Sequence, residues 1–199
     1  MLLPLLLSVI PAVLVGWALK GRLLGLAQLR LRGLWLIVAG LAAQVVAAVS
    51  AGSWPAVANF RPAIIVVAYL LVLAGLARNW RIPGMLIVLL GFAMNFAPIL
   101  ANGGQMPVSR ETMEAAGEGG LVANVAEGQP VFGSKDVLLS QEHTRLWMLS
   151  DTLIIPPPIR RVVSWGDFVT YAGMAYVIVL AMRRGKAQEQ HSEPALAAA

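Results

Sequence analysis

The sequence predicts an all-α membrane protein with five transmembrane helices and one long extracytoplasmic loop between helices 4 and 5. Hydrophobic residues make up 58% of the chain and charged residues only 13%, far from the composition of an average soluble protein. The apolar residues lie in five long stretches, each close to the roughly 20 residues that cross a bilayer core of about 30 Å as a helix. One long polar segment, residues 101–163, separates the last two stretches.

Each apolar stretch is predicted to be a helix, because lipid offers no partner for backbone N–H and C=O groups and a helix pairs them internally. The helices form a single transmembrane domain, residues 1–183. A short polar tail, residues 184–199, follows it, and disorder is predicted there. The five predicted helices are Leu2–Leu19, Leu34–Ala51, Pro62–Ala77, Pro83–Leu100 and Trp165–Met182.

Local signals support individual helices. Basic residues do not precede the first stretch but follow it, at Lys20 and Arg22, so this stretch is interpreted as a retained anchor and not a secretory signal. The fifth stretch begins with Ser164 and Asp167, three residues apart, which is the spacing of a capping box. The second stretch has small residues at spacings of four, which predict close packing against another helix, at Ala39, Ala43, Ala47 and Ala51.

Basic residues predict the orientation in the membrane. Most of them lie at three sites that fall on one side when five helices are threaded, and the positive-inside rule places that side in the cytoplasm. The N-terminus and residues 101–163 are then outside, and the C-terminus is inside. The basic residues at the three sites are Lys20, Arg22, Arg30, Arg32, Arg78, Arg81, Arg183, Arg184 and Lys186.

Residues 101–163, called the outer cap below, are predicted to contain two short helices. Ser109 can cap a first helix that ends near Ala116. The apolar residues between Lys135 and Leu149 suit a second helix, packed on the outer mouth of the bundle or lying in the membrane interface. Glycines between these helices mark the most mobile part of the cap.

The cap is predicted to be ordered where its apolar residues lie. We expect the turn at Asn102–Val108 to contact the stretch Thr144–Asp151, because burial of apolar side chains there favours one ordered unit. Trp147 should then be largely buried or at membrane depth.

Three motifs occur in the second half of the chain: Asn102-Gly103-Gly104-x-Met106-Pro107-Val108, Thr144-x-Leu146-x-x-Leu149-x-Asp151, and Ser164-x-Gly166-Asp167. In these motifs the chain resembles an uncharacterised bacterial integral-membrane family that is classed as a domain of unknown function. The resemblance implies a multi-span protein of a bacterial cytoplasmic membrane and no established activity.

Candidate binding residues lie near the predicted outer surface. Asn95, with Pro98 nearby, can line a small cavity under the outer loop, or it can bond to another helix. The remaining candidates for contact with a ligand or partner belong to the first two motifs. They are Asn102, Gly103, Gly104, Met106, Pro107, Thr144 and Trp147.

Asp151 and Asp167 are the weak catalytic candidates. Asp167 is interpreted first as part of the helix cap, and Asp151 as a turn residue or the partner of a nearby arginine. If the two carboxylates were close together, they could share a proton and activate water. Such a pair would be similar in kind to intramembrane aspartyl peptidases such as the lipoprotein signal peptidase, although that enzyme's helix motifs are not present here.

Other chemistries find little support in the sequence. The chain has no cysteine, and His143 is the only histidine between the last two apolar stretches, so no metal site is predicted. No phosphate-binding glycine motif is found, and no cofactor or nucleic-acid partner is predicted. Transport is disfavoured because none of the apolar stretches has an acid, lysine or arginine at mid-depth.

The sequence therefore predicts an interaction or structural protein with an ordered extracytoplasmic cap. Its expected partners are the lipid bilayer and another membrane protein or envelope component. The first alternative is a membrane-interface hydrolase of the aspartyl type that uses Asp151 and Asp167. The second is a receptor that binds a small molecule or a lipid.

Overall fold

The fold is described from a computed structural model, which covers residues 2–53 and 58–197, with side chains from residue 9 to 50 and 58 to 184. A bundle of helices carries a cap that is built from short strands and turns. The α-helices are α1 (Leu2–Ala18), α2 (Leu24–Ala27), α3 (Leu34–Ser53), α4 (Arg61–Ala77), α5 (Met85–Ala101), α6 (Arg110–Ala115) and α7 (Trp165–Ala197). The strands are β1 (Met106–Val108), β2 (Asp136–Leu138), β3 (Leu153–Ile155) and β4 (Arg161–Val163).

The prediction of an all-α fold with five transmembrane helices is wrong. Among the described residues, only the segment Trp165–Arg184 is a helix both long and apolar enough to cross a membrane. In the other helices, the apolar segments described with side chains have 10–17 residues, and 17 residues rise only about 26 Å, less than the bilayer core. The predicted stretches were themselves only 16–18 residues long, so the prediction accepted runs shorter than the roughly 20 residues that a spanning helix needs. The cap also contains two two-stranded sheets.

Close helix packing arises from glycines more than from the predicted alanine stripe. A Cβ at Gly40 of α3 would lie 2.6 Å from the Ala68 carbonyl oxygen of α4, and one at Gly173 of α7 would lie 2.6 Å from the Val88 nitrogen of α5. Ala47 is fully buried, whereas Ala39 is exposed. Helices α3, α4, α5, α7 and α1 pack in that order, each against the next.

The cap has its own small core. Strand β1 pairs with β2 in parallel, and β3 pairs with β4 in an antiparallel hairpin. Helix α6 starts at Ser109, whose hydroxyl accepts the Thr112 N–H at 3.2 Å, so the predicted first helix of the cap is confirmed. The buried side chains beneath these elements are Val108, Met113, Val122, Val131 and Leu138.

The predicted second helix of the cap, from Lys135 to Leu149, is wrong. This segment forms strand β2 and then two 3-10 turns, Gln141–His143 and Trp147–Leu149. A strand forms here instead of a helix because β1 provides a parallel partner for its backbone, with Met106 opposite Asp136 and Val108 opposite Leu138. Backbone pairing between segments distant in sequence cannot be seen in a local pattern.

The expected contact between the first two motifs is confirmed. The Asn102 side chain donates to the Arg145 carbonyl at 2.8 Å and accepts the Arg145 N–H at 2.9 Å. The Asp151 N–H donates to the Pro107 carbonyl at 3.3 Å. Trp147, however, is 44% exposed, so it is not largely buried in the protein, and its predicted location at membrane depth stays a prediction. The 3-10 turn that begins at Trp147 contacts α5 and α7, and the indole lies at the surface.

The last helix is longer than the sequence predicts. It is continuous from Trp165 to Ala197 and includes residues 184–197, for which disorder is predicted.

Candidate functional site

A cavity of about 390 Å³ lies where the cap meets the first turns of α7. The loop before β2, the hairpin β3–β4 and α7 each contribute to its wall. Its apolar lining includes Met113, Val131 and Val163, and its polar lining consists of Glu118, Ser134, Lys135, Asp136, Asp151, Arg161, Asp167 and Tyr171. Several of these charged groups are buried, which makes the cavity the candidate functional site.

Lys135 is the buried cation at the centre of this site. Its Nζ lies 2.8 Å from Asp151 Oδ2 and 3.3 Å from Asp136 Oδ1. All three side chains are at least 85% buried, because their exposed fractions are 7%, 5% and 15% for Lys135, Asp151 and Asp136. Asp151 Oδ1 lacks a hydrogen-bond partner among the described residues. One ammonium group thus pairs with two carboxylates, and Asp151 Oδ1 receives no hydrogen bond from the described residues.

Arg61, at the start of α4, holds the backbone on both sides of Lys135, where the loop enters β2. Arg61 is only 1% exposed. Its Nη2 donates to the carbonyls of Ser134 at 2.8 Å and of Asp136 at 3.1 Å, and its Nε donates to the Ala47 carbonyl of α3 at 3.2 Å. This side chain therefore joins two helices to the cavity wall.

The pKa values of both Lys135 and Asp151 are raised in this cluster. Burial opposes the charged form of Lys135, but the carboxylates of Asp151 and Asp136 outweigh it and raise the pKa of Lys135 well above its ordinary value. Burial raises the pKa of Asp151 well above its ordinary value, because Lys135 offsets only part of the lost hydration, and Asp136 and Asp167 act in the same direction. Neighbouring carboxylates thus explain the direction for Lys135, and burial, with smaller contributions from Asp136 and Asp167, explains the direction for Asp151.

Asp167 belongs to a separate network at the start of α7. Its Oδ2 accepts the Ser164 N–H at 3.1 Å, and its own N–H donates to Ser164 Oγ at 3.0 Å, so the predicted capping box is confirmed. Asn95 of α5 joins this network. Its Nδ2 donates to Asp167 Oδ1 at 2.7 Å, and its Oδ1 accepts the Ser164 hydroxyl at 2.5 Å. The cap of α7 is thus tied to the neighbouring helix.

An ion pair between Glu118 and Arg161 forms part of the outer wall. Both residues, with Leu121, line the cavity and also an open cleft on the adjacent surface. The pair therefore lies between the cavity and solvent. Gly117, with a positive φ of 80°, and Gly120 belong to the cleft side of this wall.

The structure brings some of the predicted site residues together and separates others. Asp151 and Asp167 line the cavity, and Asn95 supports it through Asp167. Pro107, Thr144 and Trp147 line a smaller cleft of about 200 Å³, which Asp151 also borders.

The other predicted binding residues have structural roles and line neither the cavity nor the smaller cleft. Asn102 binds the backbone of Arg145, and Met106 is fully buried in the core of the bundle. Gly103 and Gly104 have positive φ of 72° and 88° in the turn after α5. A Cβ at Gly104 would lie 2.8 Å from the Pro62 carbonyl oxygen, so glycine permits the close approach of this turn to α4.

Sequence reasoning missed Arg61, Glu118, Lys135, Asp136 and Arg161 as site residues. One signal was present: Arg61 directly precedes an apolar run on the predicted outer side, whereas the basic residues that border the other apolar runs were assigned to the cytoplasmic side. No local feature of the sequence distinguishes the adjacent Lys135 and Asp136 from an ordinary solvated pair. Their burial depends on the β1–β2 pairing and on Arg61, neither of which can be derived from local spacing.

The described residues contain no group of three or more histidine, cysteine, aspartate or glutamate side chains that could hold a metal ion. The polar groups of the cavity are arranged as ion pairs and helix caps. Their chemistry is that of hydrogen bonding and charge pairing.

Comparison with known proteins identifies the family. The model of a family described as a family of unknown function (DUF5317) matches residues 28–179, and the chain belongs to this family. The three sequence motifs lie inside the matched region, and the expectation of a family without an assigned function is confirmed. No curated protein and no solved structure matches the chain.

Proposed function

We propose that this member of the DUF5317 family is a membrane-anchored binding protein, in which α7 crosses a bilayer and the cap holds a small polar molecule. The observation that carries the proposal is the cavity of about 390 Å³ with the buried carboxylate of Asp151 in its wall. Cavities of this size suit small ligands, and a few fixed polar groups in an apolar wall orient the ligand.

The anchor is the segment Trp165–Arg184, which has 20 residues and a mean hydropathy of 1.4. Basic residues at its C-terminal end, Arg183 and Arg184, favour the cytoplasmic side for that end. Because the cap directly precedes Trp165, it then lies on the outer side, where a ligand reaches it from outside the cell.

Binding is favoured over hydrolysis by paired aspartates because Asp151 and Asp167 have separate partners. Asp151 Oδ2 bonds to Lys135, while the oxygens of Asp167 bond to Asn95 and to the Ser164 N–H. An aspartyl mechanism needs two carboxyl groups that share one proton. Here each carboxylate is already held by a different group.

The role of an interaction or structural protein stays a prediction. The feature in its favour is the exposed apolar turn Leu146–Met148, whose three side chains are between 44% and 64% exposed. The turn lies against α7 near the start of the anchor, so lipid could cover it as well as protein. For this reason the cavity, and not the turn, carries the proposed function.

The test uses a variant that fills the cavity. Val162 of β4 lines the cavity, and Val162→Trp should block it. Ile154 is the register partner of Val162 on β3 and is 43% exposed, which makes Ile154→Trp a matched control. Native mass spectrometry of the full chain, extracted in mild detergent, should show a bound small molecule in the wild type and in Ile154→Trp but not in Val162→Trp.

Two results would count against this function. One is a wild-type protein that carries no small molecule when it is extracted directly from its native membrane. The other is a bound molecule that Val162→Trp retains, because the ligand would then sit elsewhere. Circular dichroism should establish that both variants are folded.

A further inference from the structure

The charges that face the cavity are not balanced. Its described lining contains four carboxylates, Glu118, Asp136, Asp151 and Asp167, but only two cations, Lys135 and Arg161. Arg161 is paired with Glu118 at the outer wall. Lys135 is left with both Asp136 and Asp151, and the hydrogen bonds that Asp167 accepts from described residues come from neutral groups.

Hydrogen bonding is incomplete at one particular atom. Asp151 is 4% exposed, and its Oδ2 is bound by Lys135, while its Oδ1 has no partner among the described residues. A buried carboxylate oxygen without a donor is costly and is rare in folded proteins. The remaining capacity of this carboxylate is for an N–H or O–H donor, and a positively charged donor would also favour the ionised form, which burial disfavours.

We propose that the cavity binds a small molecule through a primary ammonium group, which donates a hydrogen bond to Asp151 Oδ1 and offsets the excess of carboxylates. This inference rests on the proposed function, because it names the class of ligand for the same cavity. The apolar wall of Val131, Val162 and Val163 provides a surface for a short hydrocarbon stem.

Other ligand classes fit this arrangement less well. An anion would meet four carboxylates, and the two cations of the wall are already engaged in ion pairs. A quaternary ammonium ion would reduce the excess of negative charge but has no N–H to donate to Asp151. A neutral alcohol has a donor but leaves the excess charge unbalanced.

The experiment compares small probes that share a stem and differ in the head group. Isothermal titration calorimetry of the full chain in detergent would use n-butylamine, 1-butanol, pentanoate and butyltrimethylammonium at pH 7. We expect n-butylamine to bind at least tenfold more tightly than each of the others. Asp151→Asn should weaken the binding of n-butylamine at least tenfold, while Glu142→Gln, an exposed carboxylate of the cap, should leave it unchanged.

A second variant covers the case in which Asp151→Asn does not fold. Asp136→Asn removes another carboxylate of the lining, and it should weaken n-butylamine binding several-fold with no effect on 1-butanol. Tighter binding of pentanoate or 1-butanol that Val162→Trp abolishes would overturn the ammonium assignment and leave the binding function intact. If no probe binds and the extracted protein carries no small molecule, both proposals fail.

Discussion

Lys135 shows how one buried side chain can determine the chemistry of a whole site. The ammonium group lies within 3.3 Å of two carboxylates, and Arg61 holds the backbone on either side of it. A buried ion pair adds little net stability compared with a well-packed apolar pair, but the loss of one partner leaves an uncompensated charge. The cation is therefore needed once the carboxylates are present.

This asymmetry leads to a prediction for Lys135→Met. The substitution leaves Asp136 and Asp151 buried without their cation and should lower the free energy of unfolding by about 3–5 kcal/mol. The double variant Lys135→Met/Asp151→Leu removes one of the two stranded charges and should recover at least half of the loss. Urea unfolding in detergent, followed by circular dichroism, measures both values. A single variant that unfolds like the wild type would show that the cluster is neutral or hydrated.

His143 forms a surface pair whose behaviour depends on pH. Its Nδ1 lies 2.9 Å from Glu127 Oε1, and hydrogen bonds from His143 and Ser140 lower the pKa of Glu127 to about 2. The same hydrogen bond and the charge of Glu127 raise the pKa of His143 above its ordinary value. The pair therefore stabilises the fold below the ordinary histidine pKa, and this contribution is lost as the pH rises through the raised value.

Substitution of Glu127 should lower the pKa of His143. In Glu127→Gln, the pKa of His143 should fall towards about 6.5, the unperturbed value, because the bonded charge is gone. NMR titration of the histidine ring signals, with His143→Gln for assignment, measures the change. Glu142→Gln is the control and should produce a much smaller shift, since Glu142 makes the weakest contribution to the pKa of His143. Equal shifts in both variants would contradict the pairing.

At the scale of elements, the start of α7 connects the cap, the bundle and the cavity. Ser164 both caps the helix and bonds to Asn95 of α5, and Asp167 bonds to Ser164 and Asn95 while lining the cavity. The local motif is a helix cap, and the neighbouring helix converts it into a tertiary contact. A change at this cap should therefore cost more than an isolated cap does.

The two serine caps of the protein allow this comparison. Ser164→Ala removes a cap and a bond to Asn95, and should lower the free energy of unfolding by about 2–3 kcal/mol. Ser109→Ala removes the cap of the six-residue helix α6 and its hydroxyl contact with Thr112, and should cost about 1 kcal/mol. Urea unfolding gives both values. Equal losses would mean that the bond from Ser164 to Asn95 contributes nothing.

At the scale of the molecule, the proposed anchor places the cap and the C-terminal residues on opposite sides of a membrane. Impermeant thiol reagents should label Gly120→Cys in intact cells, because Gly120 lies in the cap. They should label Gln188→Cys only after the membrane is permeabilised, because that position follows Arg183 and Arg184. Labelling of both positions in intact cells would show that α7 does not separate them.

The sequence by itself determined the apolar helices, the two caps at Ser109 and Ser164, and the contact between the Asn102 and Thr144 motifs. The helices and the caps depend on composition and on residues that are near neighbours along the chain, while the contact between the two motifs was expected from the burial of their apolar side chains. Helical periodicity and capping act over three or four residues, so a single sequence contains the information needed to predict them.

Only the tertiary structure decided the extension of α7 beyond Met182, the strands of the cap and which residues line the cavity. The β1–β2 pairing joins Met106 to Asp136, and Arg61 reaches Ser134, so the environment of Lys135 depends on segments far apart in sequence. Burial is what turns an adjacent lysine and aspartate from a solvated pair into a charged cluster with an unsatisfied oxygen. Since burial is a property of the folded molecule, the candidate site could be recognised only from the tertiary structure.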